Sequence, residues 1–235
     1  MRTIGLLGGM SFKSSLEYYR LLNEQVNERL GGLHSARCIL LSVDFAEIDR
    51  MMREDRWQEA GEMLAAEAKR LESAGAELLA LCTNTLHRVA PEIERAVSIP
   101  FLHIADAAAA RIEQAGRRTI GLLGTAYTME QDFYRQRLER HGLSVLVPEP
   151  SDRAEIHRII FEELCFGRVE PASSELFHRV IAALQTKGAE GILLGCTELG
   201  AIVLPEENAL PLFDTTRIHV EMLVELALRT EEPRL

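Results

Sequence analysis

The sequence predicts an α/β protein made of two pseudo-symmetric domains, each built on a parallel sheet, with the active site in the cleft between them. Three observations carry this. The chain repeats itself: Thr3-Ile4-Gly5-Leu6-Leu7-Gly8 returns letter for letter as Thr119-Ile120-Gly121-Leu122-Leu123-Gly124. A second pair agrees without a gap, Gly75-Ala76-Glu77-Leu78-Leu79-Ala80-Leu81-Cys82-Thr83 against Gly188-Ala189-Glu190-Gly191-Ile192-Leu193-Leu194-Gly195-Cys196, and fixed-period self-similarity is the mark of a duplicated unit. Short aliphatic runs also alternate with helical patterns, the signature of parallel strands joined by helices. Finally, 47% of the residues are hydrophobic but only 6% aromatic, which suits the aliphatic strands of a sheet covered on both faces.

The elements follow in order. Ile4 to Leu7 reads as a buried strand ending at Gly8-Gly9. A helix comes next, with Leu16, Tyr19, Leu22, Val26 and Leu30 on one face and Gly31-Gly32 as its stop. Cys38 to Phe45 is the second strand, Trp57 to Ser73 a helix with Leu64 and Leu71 turned inward, and Leu78 to Leu81 the third strand. A short helix from Pro91 to Val97 precedes a fourth strand, Phe101 to Ala105. The second half gives a strand at 119–123, a helix at 128–140 stopped by Gly142, and a strand at 143–147. Helices at 153–165 and 173–187, strands at 191–194 and from Leu210 to Phe213, and a last helix at 215–229 complete it. The expected domains are residues 1–104 with 214–235, and residues 105–213.

Charge excludes one class of function. Against 36 acids stand 26 Lys and Arg, a net charge of −10, so there is no basic footprint for nucleic acid. A small anionic substrate needs only one or two local cations and stays open. The four cysteines, Cys38, Cys82, Cys165 and Cys196, have neither zinc-site nor disulfide-framework spacing. No apolar run approaches the ~20 residues of a membrane span, and no signal-peptide pattern opens the chain. The expectation is a cytoplasmic protein with reduced thiols.

Ligands of parallel α/β sheets bind beyond the carboxyl ends of the strands. Gly8-Gly9-Met10-Ser11, Thr83-Asn84-Thr85, Gly124-Thr125 and Cys196-Thr197-Glu198 all fall at such ends. Cys196 stands where a strand gives way to a helix start, a place that lowers a thiol pKa, and Glu198 is placed to orient it or shuttle its proton. Cys38 and Cys165, on a strand and a helix face, read as structural. The repeat sets Thr83, not Cys82, opposite Cys196. Alternation along a strand lets only one of Cys82 and Thr83 face the cleft, and Thr83 is favoured. Asn84, Thr85, Thr125 and Thr197 are short donors suited to a carboxylate or to helix capping. The glycine pair is neither a Walker loop nor a G-x-G-x-x-G fingerprint, so no nucleotide is expected. Lys13, Lys69 and Lys187 are the only lysines, and none has an apolar pattern suited to a Schiff base. His87 and His103 read as structural.

Together these residues resemble the aspartate/glutamate racemase superfamily. The run Ile159-Ile160-Phe161-Glu162-Glu163-Leu164, with Asp132-Phe133-Tyr134 upstream, resembles its YgeA-type branch. The resemblance implies a cofactor-independent amino-acid racemase, a homodimer, in which two groups flank the α-carbon. It implies that Cys196 is the base toward the L-enantiomer and that Thr83 holds the second-base position, where most members carry cysteine. It implies substrate contacts from Met10, Met52, Asn84, Thr85, Thr125, Thr197 and Glu198. Arg50 is a candidate for a side-chain carboxylate. Cys165 stands where aspartate racemases carry a lysine, which leaves room for neutral side chains. An alcohol is a weaker acid than a thiol of pKa ~8.5, so exchange is expected to run faster from the L side. Two other readings remain open: a maleate-isomerase or decarboxylase-like enzyme on the same fold, and a two-lobed binding protein. A Cys-His hydrolase is disfavoured because His219, the only histidine after Cys196, lies on the last helix.

Overall fold

The structure, a computed structural model, describes residues 1–229. By contact density the chain divides into two compact units, Met1–His103 with the segment from His219, and Ile104–Ile218. The part of the expected N-terminal domain from residue 230 onward lies outside the described residues. Each unit is a parallel α/β layer structure, the expected fold class.

The first unit holds a three-stranded sheet in the order β2-β1-β3, with β1 at Ile4–Gly8, β2 at Cys38–Ser42 and β3 at Leu78–Leu81. Helix α1 (Phe12–Leu30), α2 (Phe45–Arg53), α3 (Trp57–Ser73) and α4 (Ala90–Ala96) connect or flank the strands. In the second unit, α5 (Ile104–Gln114) precedes a four-stranded sheet, β5-β4-β6-β7. Its strands are β4 (Thr119–Gly124), β5 (Ser144–Leu146), β6 (Gly191–Gly195) and β7 (Leu212–Asp214). The intervening helices are α6 (Ala126–Glu130), α7 (Asp132–Arg140), α8 (Pro150–Glu162) and α9 (Pro171–Thr186). Helix α10 (Thr215–Leu228) closes the described chain.

The repeated Gly-Ala-Glu tripeptide has a physical explanation. After α3, Gly75 takes φ +98° and Ala76 N–H reaches back to Leu71 O at 3.1 Å. After α9, Gly188 takes φ +100° and Ala189 N–H reaches Leu184 O at 3.0 Å. This is a helix end closed through a left-handed glycine. The glutamates then clasp the first strand of their sheet: Glu77 accepts the Thr3 N–H at 2.6 Å, and Glu190 accepts those of Arg118 and Thr119 at 2.7 and 2.9 Å.

Several elements differ from expectation. The strand predicted to Phe45 stops at Ser42, because Asp44 caps α2 by accepting the Ala46 N–H at 3.1 Å. The predicted strand from Phe101 to Ala105 is one bridge, Leu79 to Phe101, before α5 begins at Ile104. The alanine-rich run from Ala105 onward is strongly helix-forming and overrides the extended reading. Residues 128–140 form two helices, α6 and α7, split at an extended Gln131. Cys165 lies in a separate 3-10 turn, Leu164–Phe166, after α8 has ended.

On α1 the buried stripe is Ser15, Tyr18, Leu22 and Val26, joined by Ser14 and Leu21. Leu16 and Tyr19 are 62% and 49% exposed, on an apolar stripe that adjoins the buried one, Tyr19 lying only about 20° around the helix from Val26 at about 100° per residue. With Phe12 and Leu40 they line a groove of about 320 Å³ beside edge strand β2. The core of this unit joins Ile4, Leu6, Tyr18, Leu22, Leu78 and Ala80 to Val220, Leu223 and Val224 of α10. Each such large side chain, fully buried, contributes about 1.5–3 kcal/mol.

Candidate active site

In the first unit the parallel register brings the ends of β1, β2 and β3 to one level. Leu7 pairs with Leu81, Cys82 N–H donates to Leu7 O at 2.9 Å, and Val43 N–H donates to Gly8 O at 3.0 Å. Gly9-Met10 and Thr83-Asn84 therefore leave neighbouring strands side by side. Gly9 takes φ +98°, and a Cβ there would lie 2.2 Å from Val43 O, so no other residue fits. Its N–H is held by Ser15 Oγ at 2.8 Å. Leu78, Ala80 and Cys82 lie in one apolar cluster, so Cys82 continues the core-facing phase of β3 and Thr83 the opposite one. Burial drives the Cys82 thiol far above its ordinary pKa. Thr83, Asn84 and Thr85 are buried as well.

Behind Thr83 stands a buried aromatic cluster. His87 Nδ1 lies 2.7 Å from Thr83 O; a carbonyl only accepts, so Nδ1 carries the proton. The His87 ring meets His103 at 4.5 Å and Phe101 at 5.7 Å. His219 bonds Tyr18 Oη at 2.7 Å and donates from Nε2 to Leu102 O at 2.9 Å. Its pKa is pushed down to about 4, because desolvation outweighs the carbonyl's pull the other way. Met10 and Met52 are buried, whereas Arg50 stands on the exposed side of α2. A cavity of about 560 Å³ lined by Trp57, Arg88, Glu92 and Arg95 includes none of the predicted site residues.

In the second unit Gly124 and Gly195 are register partners on β4 and β6, so Thr125 and Cys196 leave adjacent strands at one level. A Cβ on Gly124 would meet Gly195 O at 2.9 Å, a closeness that requires glycine beside Cys196. Cys196 is extended and opens the 3-10 turn Thr197–Ala201. Its Sγ donates to Glu198 Oε2 at 3.0 Å, and Thr197 Oγ1 donates to the same oxygen at 2.5 Å.

Electrostatics here reverse the expectation for Cys196. Its pKa is raised, not lowered: burial is the largest cause, the Glu198 charge and hydrogen bond add to it, and Cys165 contributes further. The N–H of Glu198 does act in the expected direction but is outweighed. The resting group is a thiol with a carboxylate at hand to take its proton. Cys165, read from sequence as structural, thus neighbours Cys196 electrostatically.

Thr125 caps α6, accepting the Thr128 N–H at 3.3 Å. The next N–H, of Ala126, donates to His157 Nδ1 at 3.2 Å. That proton placement makes Nδ1 the acceptor, and burial lowers the His157 pKa. Nothing in the spacing of His157 ties it to Thr125 in the sequence; its ring is flanked by Tyr127 and Phe161. Among the described residues no group of three or more His, Cys, Asp or Glu side chains could hold a metal ion, and no helix is long and apolar enough to cross a membrane.

Comparison with known proteins places the chain in a family. A crystallised Yersinia pestis protein, provisionally named an Asp/Glu racemase, is 49% identical with a TM-score of 0.93, over 97% of this chain and 100% of its own. An aspartate racemase homologue from Pyrococcus horikoshii OT3 is 37% identical with a TM-score of 0.87, over 97% and 100%. The broad specificity amino-acid racemase RacX of Bacillus subtilis (strain 168) is 24% identical over 151 residues, 63% of this chain. That match spans 64% of the length of RacX. The Asp/Glu/Hydantoin racemase family model matches residues 7–223, and the chain belongs to that family.

Proposed function

We propose that the protein is a cofactor-independent amino-acid racemase of the YgeA-type branch. Its substrates are L-aspartate, L-glutamate or a wider set, and it acts in the cytoplasm as a homodimer. The observation that carries the reading is the Cys196 thiol donating to Glu198 at 3.0 Å at a strand end. In the proposed reaction Glu198 takes the thiol proton. The thiolate then removes the α-proton of the L-amino acid, and a proton returns to the opposite face from the Thr83 side. Asn84, Thr85, Thr125 and Thr197 hold the substrate's polar groups, and Met10 and Met52 pack against it. Thr125 and Thr197 have structural bonds as well.

Thr83 in place of a second thiol makes the two directions unequal, with faster hydrogen exchange from the L side. Cys165 in the place of a lysine supports a substrate range that includes neutral side chains such as homoserine, in keeping with the breadth named for RacX. Arg50, exposed on α2, is the candidate partner for a side-chain carboxylate.

The test is α-hydrogen exchange in deuterated water with L- and D-aspartate, glutamate and homoserine. Exchange with at least one amino acid, abolished by Cys196→Ala, is the expected result. Binding without exchange would favour a binding protein, and turnover of a substrate lacking an α-amino group would favour the isomerase or decarboxylase reading.

A further inference from the structure

We propose that His87 is the positioning residue for Thr83, an inference that rests on the second-base reading of Thr83. One residue grips both carbonyls of the turn: the His87 ring donates to Thr83 O at 2.7 Å, and the His87 main-chain N–H donates to Asn84 O at 3.1 Å. The peptide joining Thr83 to Asn84 is trans, so its N–H points opposite to its carbonyl. Holding that carbonyl toward the buried ring therefore fixes the plane of the whole peptide. With it are fixed the position of the Thr83 Cα, from which the side chain springs, and the direction of the Asn84 N–H.

The ring itself has little freedom. His87 is 1% exposed. His103 and Phe101 pack against it at 4.5 and 5.7 Å. His219, 6.1 Å away, is locked by its bonds to Tyr18 and to Leu102 O. A hydroxyl is a poor proton donor and acceptor beside a thiol, so its reaction depends steeply on alignment. An error near 1 Å in such a group costs up to about a hundredfold in rate.

The experiment compares α-hydrogen exchange from the D- and L-forms of one substrate in His87→Leu and His87→Asn. Both are made in the wild-type and Thr83→Cys backgrounds; in the latter a thiol makes exchange from the D side easy to read. Leucine has no donor, whereas the asparagine amide places an N–H near the position of Nδ1. The expected result is a D-to-L rate ratio reduced about tenfold or more in His87→Leu and largely restored in His87→Asn. Equal loss from both enantiomers, or an unchanged ratio in a folded variant, would overturn the proposal. If His87→Leu does not fold, His87→Gln takes its place, because its amide reaches past the Nδ1 position. Thr83→Ala is the reference: if it leaves the ratio unchanged, the second-base reading fails and the role of His87 fails with it. A ratio that responds to Thr83→Ala but not to His87 variants overturns the His87 role alone.

Discussion

At Cys196 the decisive contest is between a helix start and a carboxylate. The N–H of Glu198 favours the thiolate, but burial and the Glu198 charge favour the thiol and win. The pH dependence follows from the sign: with a raised pKa the thiolate fraction grows only as pH rises into the alkaline range. Alkylation of Cys196 is therefore expected to be slow at neutral pH and to climb on the alkaline side. Glu198→Gln removes the charge that helps hold the thiol protonated, so the alkylation profile should shift toward lower pH. Under the proposed reaction, exchange activity should nevertheless fall, by roughly a hundredfold or more, because the proposed proton acceptor is gone. An unshifted alkylation profile would mean that Glu198 does not act on the thiol. As the proposed second base, Thr83 presents the opposite case, since a hydroxyl depends on alignment more than on pKa.

The two Gly-Ala-Glu segments are the element-scale counterpart of the repeat. Gly75 at φ +98° and Gly188 at φ +100° stand in open space, so alanine there meets no clash and pays only for a backbone form that L-residues avoid. Gly75→Ala and Gly188→Ala are each expected to destabilise by about 1–2 kcal/mol, readable by urea denaturation; no change would show that neither turn depends on the left-handed form. Glu77 and Glu190 have lowered pKa values, caused first by the backbone N–H groups they accept. A carboxylate lowered on folding stabilises above its unfolded pKa and loses that contribution as pH falls through the folded one.

At this scale the limits of sequence reading are also visible. Most strands were legible because short aliphatic runs between polar, turn-forming segments suit buried strands, and the Trp57–Ser73 helix because its apolar residues recur at helical spacing. The face of α1 was not, since Leu16, Tyr19 and Leu30 form a second apolar stripe that periodicity cannot distinguish from the buried one. Helix α5 was hidden behind Phe101 to Ala105, whose extended start belongs to a single bridge. Cys196, Thr197 and Glu198 could be found from the repeat, but the direction of the thiol shift could not, because it depends on where the Glu198 carboxylate folds back.

For the whole molecule, the buried His219 links stability to pH. His219 is fully buried, with a pKa pushed down to about 4. An unfolded histidine titrates near ~6.5, so the unfolded chain binds the extra proton first. Stability is expected to be complete above about pH 6.5 and to fall as pH drops toward 4, by on the order of 3 kcal/mol. His219→Phe should flatten that limb in urea titrations, although the loss of the bonds to Tyr18 and Leu102 lowers stability at neutral pH. An acid limb of equal depth in the variant would rule out His219 as its source. The homodimer of the proposed function predicts a mass in light scattering of twice the 26.3 kDa of one chain; a single-chain mass at working concentrations would remove the dimer from the proposal.

The measurement that bears most directly on function is proton NMR of the α-hydrogen in deuterated water, with L-aspartate, L-glutamate and L-homoserine, comparing wild type and Cys196→Ala. Proton transfer through Cys196 predicts loss of the α-proton signal in wild type and a rate lower by about a thousandfold in Cys196→Ala. Exchange that persists undiminished in Cys196→Ala, or no exchange with any amino acid, would contradict it.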